Sequence, residues 1–265
     1  MRTFVLLSAG CVLMTAGLSA QGNQIAPGGT LRAVYLAGNA AQAVRDPATG
    51  EARGVAADLT REIGRRLGVP VSITPSPSPQ TVIDAVSKDE ADIGFVAYAP
   101  SRTGSVEFSQ TYMLVRQTFL VPERSELRSV TDMDRKGVRI GGTKGDSITL
   151  FLGRSLKQAT LVETDGTPAD MKRKFDAGAI DAFGANRQRL STLVKELPGY
   201  RVLSDNILDV PQTIVVQKGK LDALKTVNDF IDDVRRSGML KTSIEKSGVT
   251  GIDAAPAGFG YGKVE

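Results

Sequence analysis

Apolar positions along this chain fall into short blocks that alternate between the period of a strand and the period of a helix. Leu31 to Leu36 (LRAVYL) is a short apolar-rich run and predicts a first strand; the polar stretch 37–54 follows, with turn signals at Asp46-Pro47 and Thr49-Gly50. Val55, Leu59, Ile63 and Leu67 then recur every fourth residue, so the spacing predicts a helix from Val55 that Gly68 stops and Pro70 keeps from resuming. Val71 to Thr74 returns to a strand, completing a strand-helix-strand unit whose connection is right-handed by rule. Pro75 to Pro79 (PSPSP) is stiff and extended, leading to a helix near Thr81 to Ser87.

The same alternation repeats in the second half. Strands are predicted at Ile93 to Val96, Gln117 to Val121, Val138 to Gly142, Thr160 to Val162, Ile180 to Ala185, Tyr200 to Leu203 and Val210 to Gln217. Helices are predicted around Ile148 to Leu152, from a Thr167-Pro168-Ala169-Asp170 start to Gly178, around Leu190 to Leu197, and from Leu221 to Gly238 with Leu221, Leu224, Val227, Ile231 and Val234 on its apolar side. The glycine-rich end from Gly248 is expected to be loose or loosely docked. Two strand-helix series imply an α/β protein of two similar lobes. Expected boundaries are 30–120 plus 214–250 for lobe one, 121–213 for lobe two, and 251–265 for a C-terminal tail. Crossing segments at about 119–123 and 210–216 form a hinge.

Composition narrows the chemistry. The 265 residues include 33 basic and 29 acidic side chains, interspersed without a basic run, so nucleic acid is not an expected partner. The chain has no histidine, which removes His-based triads, imidazole zinc sites and a His general base. Its one cysteine, Cys11, lies in a leader-like segment, Met1 to Ala20, with an early Arg2 and an apolar run from Phe4 to Leu18. That pattern reads as a secretory signal cleaved near Ala20-Gln21, with acylation at Cys11 as the rival reading. No cofactor or metal is implied.

The stretch Ala91 to Tyr112 carries the most specific signal. Its strand breaks at Ala99-Pro100 into a loop bearing Arg102, where a guanidinium faces whatever lies beyond the strand's carboxyl end, the place where open α/β sheets bind ligands. A solvated loop arginine is the plain alternative. The spacing of Asp92, Gly94, Arg102, Val106, Phe108, Ser109 and Tyr112 resembles the family 3 solute-binding proteins of bacterial ABC importers, the polar amino-acid binders. Gly54 with Asp58-Leu59, and Ser129 to Gly137, also resemble family segments. Three positions depart from the family: Ala97 and Ala99 stand where it has threonines, and Ser101 where it has glutamate.

The resemblance implies a two-lobed periplasmic-binding-protein fold of type II, closing on a small carboxylate-bearing solute that it presents to a membrane permease, as a monomer and without catalysis. It implies ligand contacts at Arg102, at Ala97, and at the turn Gly145-Asp146-Ser147, which stands where the family has G-[ST]-[ST]. Asp146 reads either as a helix N-cap or as a cleft carboxylate. Asn186 stands where the family's last aspartate pairs with the ligand's α-ammonium, and an amide supplies no charge for that task. Either the ligand lacks an ammonium or Asp146 neutralises it. Tyr35, Asn39 and Tyr98 are candidate walls. The rival class is a periplasmic enzyme on the same scaffold, resembling cyclohexadienyl dehydratases, with Asp146 as the acid.

Overall fold

Strand β1 (Leu31–Leu36) buries Leu31, Ala33 and Tyr35 on one face, the two-residue period of a strand covered by a helix. The computed structural model describes residues 24–259 of the chain. The leader and Cys11 lie outside the described residues. β1 sits between two parallel neighbours, β4 (Val71–Ser76) and β5 (Ile93–Ala97). Helix α1 (Val55–Leu67) covers this sheet with Val55, Leu59 and Ile63 buried, and Gly68 ends it at φ +68°, a left-handed turn that favours glycine. The polar stretch before α1 pairs two short strands, β2 (Val44–Arg45) and β3 (Ala52–Arg53). Helix α2 (Pro79–Ser87) starts two residues earlier than its apolar spacing indicates: Ser78 and Thr81 form a capping box and Pro79 opens the first turn. Pro75 and Ser76, expected in an extended connector, finish β4.

The second series repeats this layout. β8 (Arg139–Thr143) lies between β9 (Thr160–Thr164) and β10 (Ala182–Asn186), both parallel to it. Helices α3 (Ser147–Ser155), α4 (Pro168–Asp176) and α5 (Arg187–Glu196) cover it, and Thr167 caps α4 as its sequence indicates.

Each series is locked by the same device. The Asp92 carboxylate accepts from the backbone N–H of Arg32 (2.7 Å) and from its guanidinium (2.7 and 3.3 Å), while Asp92 N–H donates back to Arg32 carbonyl oxygen (2.8 Å). Asp181 and Arg139 make the same set, at 2.8 Å from the backbone N–H and 2.7 and 2.9 Å from the guanidinium. Such two-pronged arginine-carboxylate pairs fix the first strand of each series to the start of its third, β1 to β5 and β8 to β10.

Two long strands join the series. β7 (Met113–Pro122) and β12 (Leu208–Gln217) run antiparallel, from Met113 opposite Gln212 to Gln117 opposite Leu208. β7 continues onto β10 and the short β11 (Tyr200–Val202); β12 continues onto β5 and β6 (Val106–Phe108). The mutual crossing on the first strand therefore lies at 113–117, upstream of the expected 119–123. Arg116-Gln117 interrupts the apolar pattern and hides the beginning of one continuous strand. Two apolar cores flank this crossing on each side.

The C-terminal region departs most from expectation. Helix α6 (Leu221–Arg236) buries Val227, Phe230, Ile231 and Val234, but Leu221 at its first turn is 63% exposed. A further helix, α7 (Met239–Ser247), follows Gly238, and β13 (Ile252–Ala254) pairs with Met113–Val115 of β7. Arg235 donates to the carbonyls of Ala255 and Thr111, both at 2.9 Å. The chain is thus docked through Ala255. A sparse apolar pattern, Leu240 and Ile244 in α7 and Ile252 in β13, concealed these elements.

The Asp92 side chain is 1% exposed and that of Asp181 is 34% exposed, so removing the first carboxylate costs more. Asp92→Asn is expected to destabilise by about 2–3 kcal/mol, or about 5–10 °C, and Asp181→Asn by about half as much. Burial pushes the Asp181 carboxyl up, but hydrogen bonds from the Arg139 side chain and backbone, with its charge, outweigh that and hold it below the ordinary value. Its contribution is full above the unfolded value near ~4 and is lost as pH falls through the lower folded value. Thermal melts of Asp181→Asn should therefore lie below the parent at neutral pH and converge with it as the pH falls below the ordinary aspartate range; a constant gap would refute the assignment.

Candidate functional site

A cleft of about 520 Å³ opens at the carboxyl ends of the strands of both series. Its floor is the crossing, through Val115 and Gln117 of β7 and Val210 and Gln212 of β12. One wall is built by Asn39 and Gln42 after β1, by Ser78 and Pro79 at the start of α2, and by Ala97 and Arg102 after β5. The other is built by Lys144, Gly145, Asp146 and Ser147 between β8 and α3, and by Asn186 and Arg189 at the start of α5. Sequence expectations for Arg102, Ala97, Gly145, Asp146, Ser147, Asn186 and Asn39 thus converge on one cavity.

Arg102 ends a single 3-10 turn, Pro100–Arg102, and its guanidinium donates to the carbonyl of Ala97 at 3.1 Å. Burial lowers its pKa from the ordinary guanidinium value, yet it remains charged. No carboxylate among the described residues lies within ion-pair distance of it. Five donors with one carbonyl partner leave room for an incoming carboxylate. The alanine at 97 contributes its main chain, which needs no hydroxyl.

Gly145 takes φ +80°, and a Cβ there would meet nothing within 4 Å, so the turn's conformation rather than packing requires glycine. Asp146 occupies the N-cap position of α3 but makes no side-chain hydrogen bond to the first turn. Unlike α2, α4 and α5, α3 has a helix N-terminus without a side-chain cap, and it lines the cleft. The Asp146 carboxylate instead turns to Arg189, whose Nη1 lies 3.3 Å away. Burial pushes this carboxyl up, with Arg189 and Thr143 pulling the other way.

Asn186 ends β10 and caps α5, its Oδ1 accepting from Arg189 N–H at 2.9 Å. Arg189, one helical turn on, lies across this wall. It donates to Thr143 Oγ1 at 3.3 Å, to Asp146 and to the Gly166 carbonyl, and its guanidinium covers the Phe183 ring at 5.6 Å. Sequence reasoning missed it: an arginine in the first turn of an amphipathic helix carries no mark until the helix start is placed at the cleft. The glutamines, one in the loop after β1 and one within β12, were missed because neither stands in a marked turn or motif. Gln42 donates to Gln212 Oε1 at 3.0 Å and accepts from Leu36 N–H, tying the loop after β1 to the crossing strand. Asn39 accepts from Gln188 of α5 at 3.1 Å, a hydrogen bond from one wall to the other series.

Two expected walls are placed elsewhere. Tyr35 shares the inward face of β1 with Leu31 and Ala33 and is 1% exposed in the core. Tyr98 packs edge-on against Phe108, centroids 5.1 Å apart, outside the cleft lining. In both cases an aromatic ring near a strand end is drawn to apolar packing.

Two α/β lobes joined by two strands, with a polar cleft between them, define a solute-binding protein of the type II kind. Residues 32–248 match the family model of bacterial extracellular solute-binding proteins, family 3, and the chain belongs to that family. It is 26% identical over 175 residues to a glutamine-binding protein of Geobacillus stearothermophilus, covering 64% of this chain and 66% of that one. It is 24% identical over 199 residues to the L-cystine-binding protein TcyJ of Escherichia coli K12, 74% of each. Among solved structures it resembles a P235GK mutant of ArgBP from T. maritima (TM-score 0.67, 22% identity, 86% of this chain and 99% of that one). It also resembles the ancestral amino acid-binding protein AncCDT-1, a precursor of cyclohexadienyl dehydratase (TM-score 0.68, 23% identity, 85% and 97%). These likenesses show the fold. No helix among the described residues is long and apolar enough to cross a membrane.

With Arg189 replaced by Met, the downward pull on Asp146 disappears and the upward effect of burial remains. Carboxyl NMR titration should find Asp146 above the ordinary aspartate value in the parent and higher still in Arg189→Met. An unchanged or lowered midpoint would show that the two side chains do not meet in solution.

Proposed function

We propose that this protein is the exported solute-binding component of an ABC-type importer, closing its lobes about the β7–β12 crossing on a small carboxylate-bearing solute, an amino acid or related organic acid. The observation that carries this reading is Arg102: a half-buried guanidinium at a strand's carboxyl end, facing the cleft and bonded to one carbonyl. The uncapped N-terminus of α3 faces the same space and favours negative charge. Family membership supports the transport role and an extracellular place of work, with 1–20 as the export signal and a membrane permease as partner. Hinge closure is the motion that two lobes on two shared strands permit most readily.

The dehydratase-like reading has one favourable observation, the raised carboxyl of Asp146. Against it, Asp146 is the one carboxylate among the described residues lining the cleft, and the chain has no histidine, so no second acid-base group stands beside it. A solute recovered unchanged after long incubation with the protein supports the receptor reading; a converted one supports the enzyme.

Arg102→Ala is expected to weaken binding of the most stabilising carboxylate by about 100-fold, the usual scale for losing a charged, two-pronged hydrogen-bond partner. The melting temperature of the unliganded protein should change by less than about 3 °C, because the guanidinium makes a single internal bond. Calorimetric titration checks this, and an unaltered dissociation constant would remove Arg102 from the site.

A further inference from the structure

The charges lining the cleft are unequal: three cations, Arg102, Lys144 and Arg189, face one carboxylate, Asp146. They also differ in how far they are already satisfied. Asp146 is met by Arg189, so an ammonium approaching it would have to lie beside a guanidinium, and like charges at that range repel. The other expected ammonium partner, Asn186, has no charge, and its Oδ1 is already engaged by the Arg189 N–H. An ammonium entering this cleft finds no vacant anion.

Anions find the opposite. Arg102 holds one carbonyl and no carboxylate. Arg189 gives Nη2 to the Gly166 carbonyl, but its Nη1 holds Asp146 and Thr143 at 3.3 Å, longer than the 2.7–2.9 Å or so of a strong charge-assisted bond, so a ligand oxygen can compete for that nitrogen. Lys144 stands at the rim, 81% exposed, with Glu163 as a loose partner at 3.8 Å, and adds a diffuse positive field. The uncapped first turn of α3, through Ser147, lines the same cavity.

We infer that the solute is a small dianion without an ammonium group, a dicarboxylic, hydroxy-dicarboxylic or oxo-dicarboxylic acid. One carboxylate sits on Arg102 and the other between Arg189 and the start of α3. This rests on the carboxylate-binding reading of the same cleft and narrows it: a single carboxylate would satisfy Arg102 and leave the opposite wall's excess charge unmatched, whereas a zwitterion would bring a cation with no counter-charge.

The test uses the purified protein and matched probes: succinate beside aspartate, 2-oxoglutarate beside glutamate, and lactate, glutamine and arginine as a monoanion, a zwitterion and a cation. Thermal shift ranks them and calorimetry measures those that act. A dianion is expected to bind at least about tenfold tighter than its amino-acid counterpart, the effect of one unpaired buried charge. Arg189→Gln should weaken the dianion by at least about tenfold and leave lactate unaffected. Asn186→Asp keeps the helix cap, since aspartate caps as well as asparagine, and should narrow or reverse the preference for the deaminated acid. A wild-type protein that prefers glutamine or arginine to every dianion overturns the inference, as does a panel in which no dianion binds. In either case the broader carboxylate reading stands if Arg102→Ala abolishes binding of whichever acid does act. Dianion binding that survives Arg102→Ala intact overturns that broader reading instead.

Discussion

The antiparallel crossing of β7 and β12 is the constraint on which the rest of this molecule depends. Within the larger sheet the strands of one series reach those of the other through these two, because β7 pairs with β10, β11 and β13 while β12 pairs with β5 and β6. Both lobes therefore end their parallel strands toward the same gap, and the gap has a hydrogen-bonded floor. The polar side chains of that floor are constrained in turn: Gln212 is buried and is held by Gln42, so the first loop of lobe one is anchored to a strand that both lobes share. With Asn39 meeting Gln188 from the other side, the geometry of the cleft is coupled to the geometry of the crossing.

Against that frame the arginines sort by how completely they are satisfied. Arg32 and Arg139 are forked onto Asp92 and Asp181. Arg201 donates to three carbonyls, at 3.3, 3.1 and 2.7 Å, and Arg187 ties the stretch from Leu203 to Asn206 to α5. Structural arginines in this protein use their donors. Arg102 does not, although burial already costs it some of its solvation. Leaving a partly desolvated cation with one carbonyl is unfavourable, and an anion on it would relieve that cost. Arg189 lies between these extremes: it holds the Gly166 carbonyl closely, and Thr143 and Asp146 only at 3.3 Å.

Much of the fold was legible in the sequence because its signals are local. A four-residue apolar period, Gly68 after it and Pro70 beyond predicted α1 at its observed limits, and Thr167-Pro168 marked the start of α4. The crossing was legible only approximately, since a strand that passes from one lobe to the other changes its buried partners midway and carries Arg116 and Gln117 at the junction. The docking of α7 on α1 and α6, and of β13 on β7, depends on contacts distant in sequence and was hidden. At the cleft, residues that follow strand ends at marked turns were found, Arg102 and Gly145-Asp146-Ser147 among them. Arg189 in the first turn of α5, Gln42 in the loop after β1 and Gln212 on the sheet floor, none of them marked by a turn residue or motif, were not. Tyr35 fails for the converse reason, because the alternation that makes β1 a strand also determines which face its ring must take.

The binding role of Arg102 is tested most directly by a crystal structure of the protein with its most stabilising carboxylic acid. The arrangement predicts a carboxylate within about 3 Å of the Arg102 guanidinium, in a cleft narrowed about the β7–β12 crossing. A solute seated outside the cleft, or one that leaves Arg102 on the Ala97 carbonyl with no ligand contact, would contradict it.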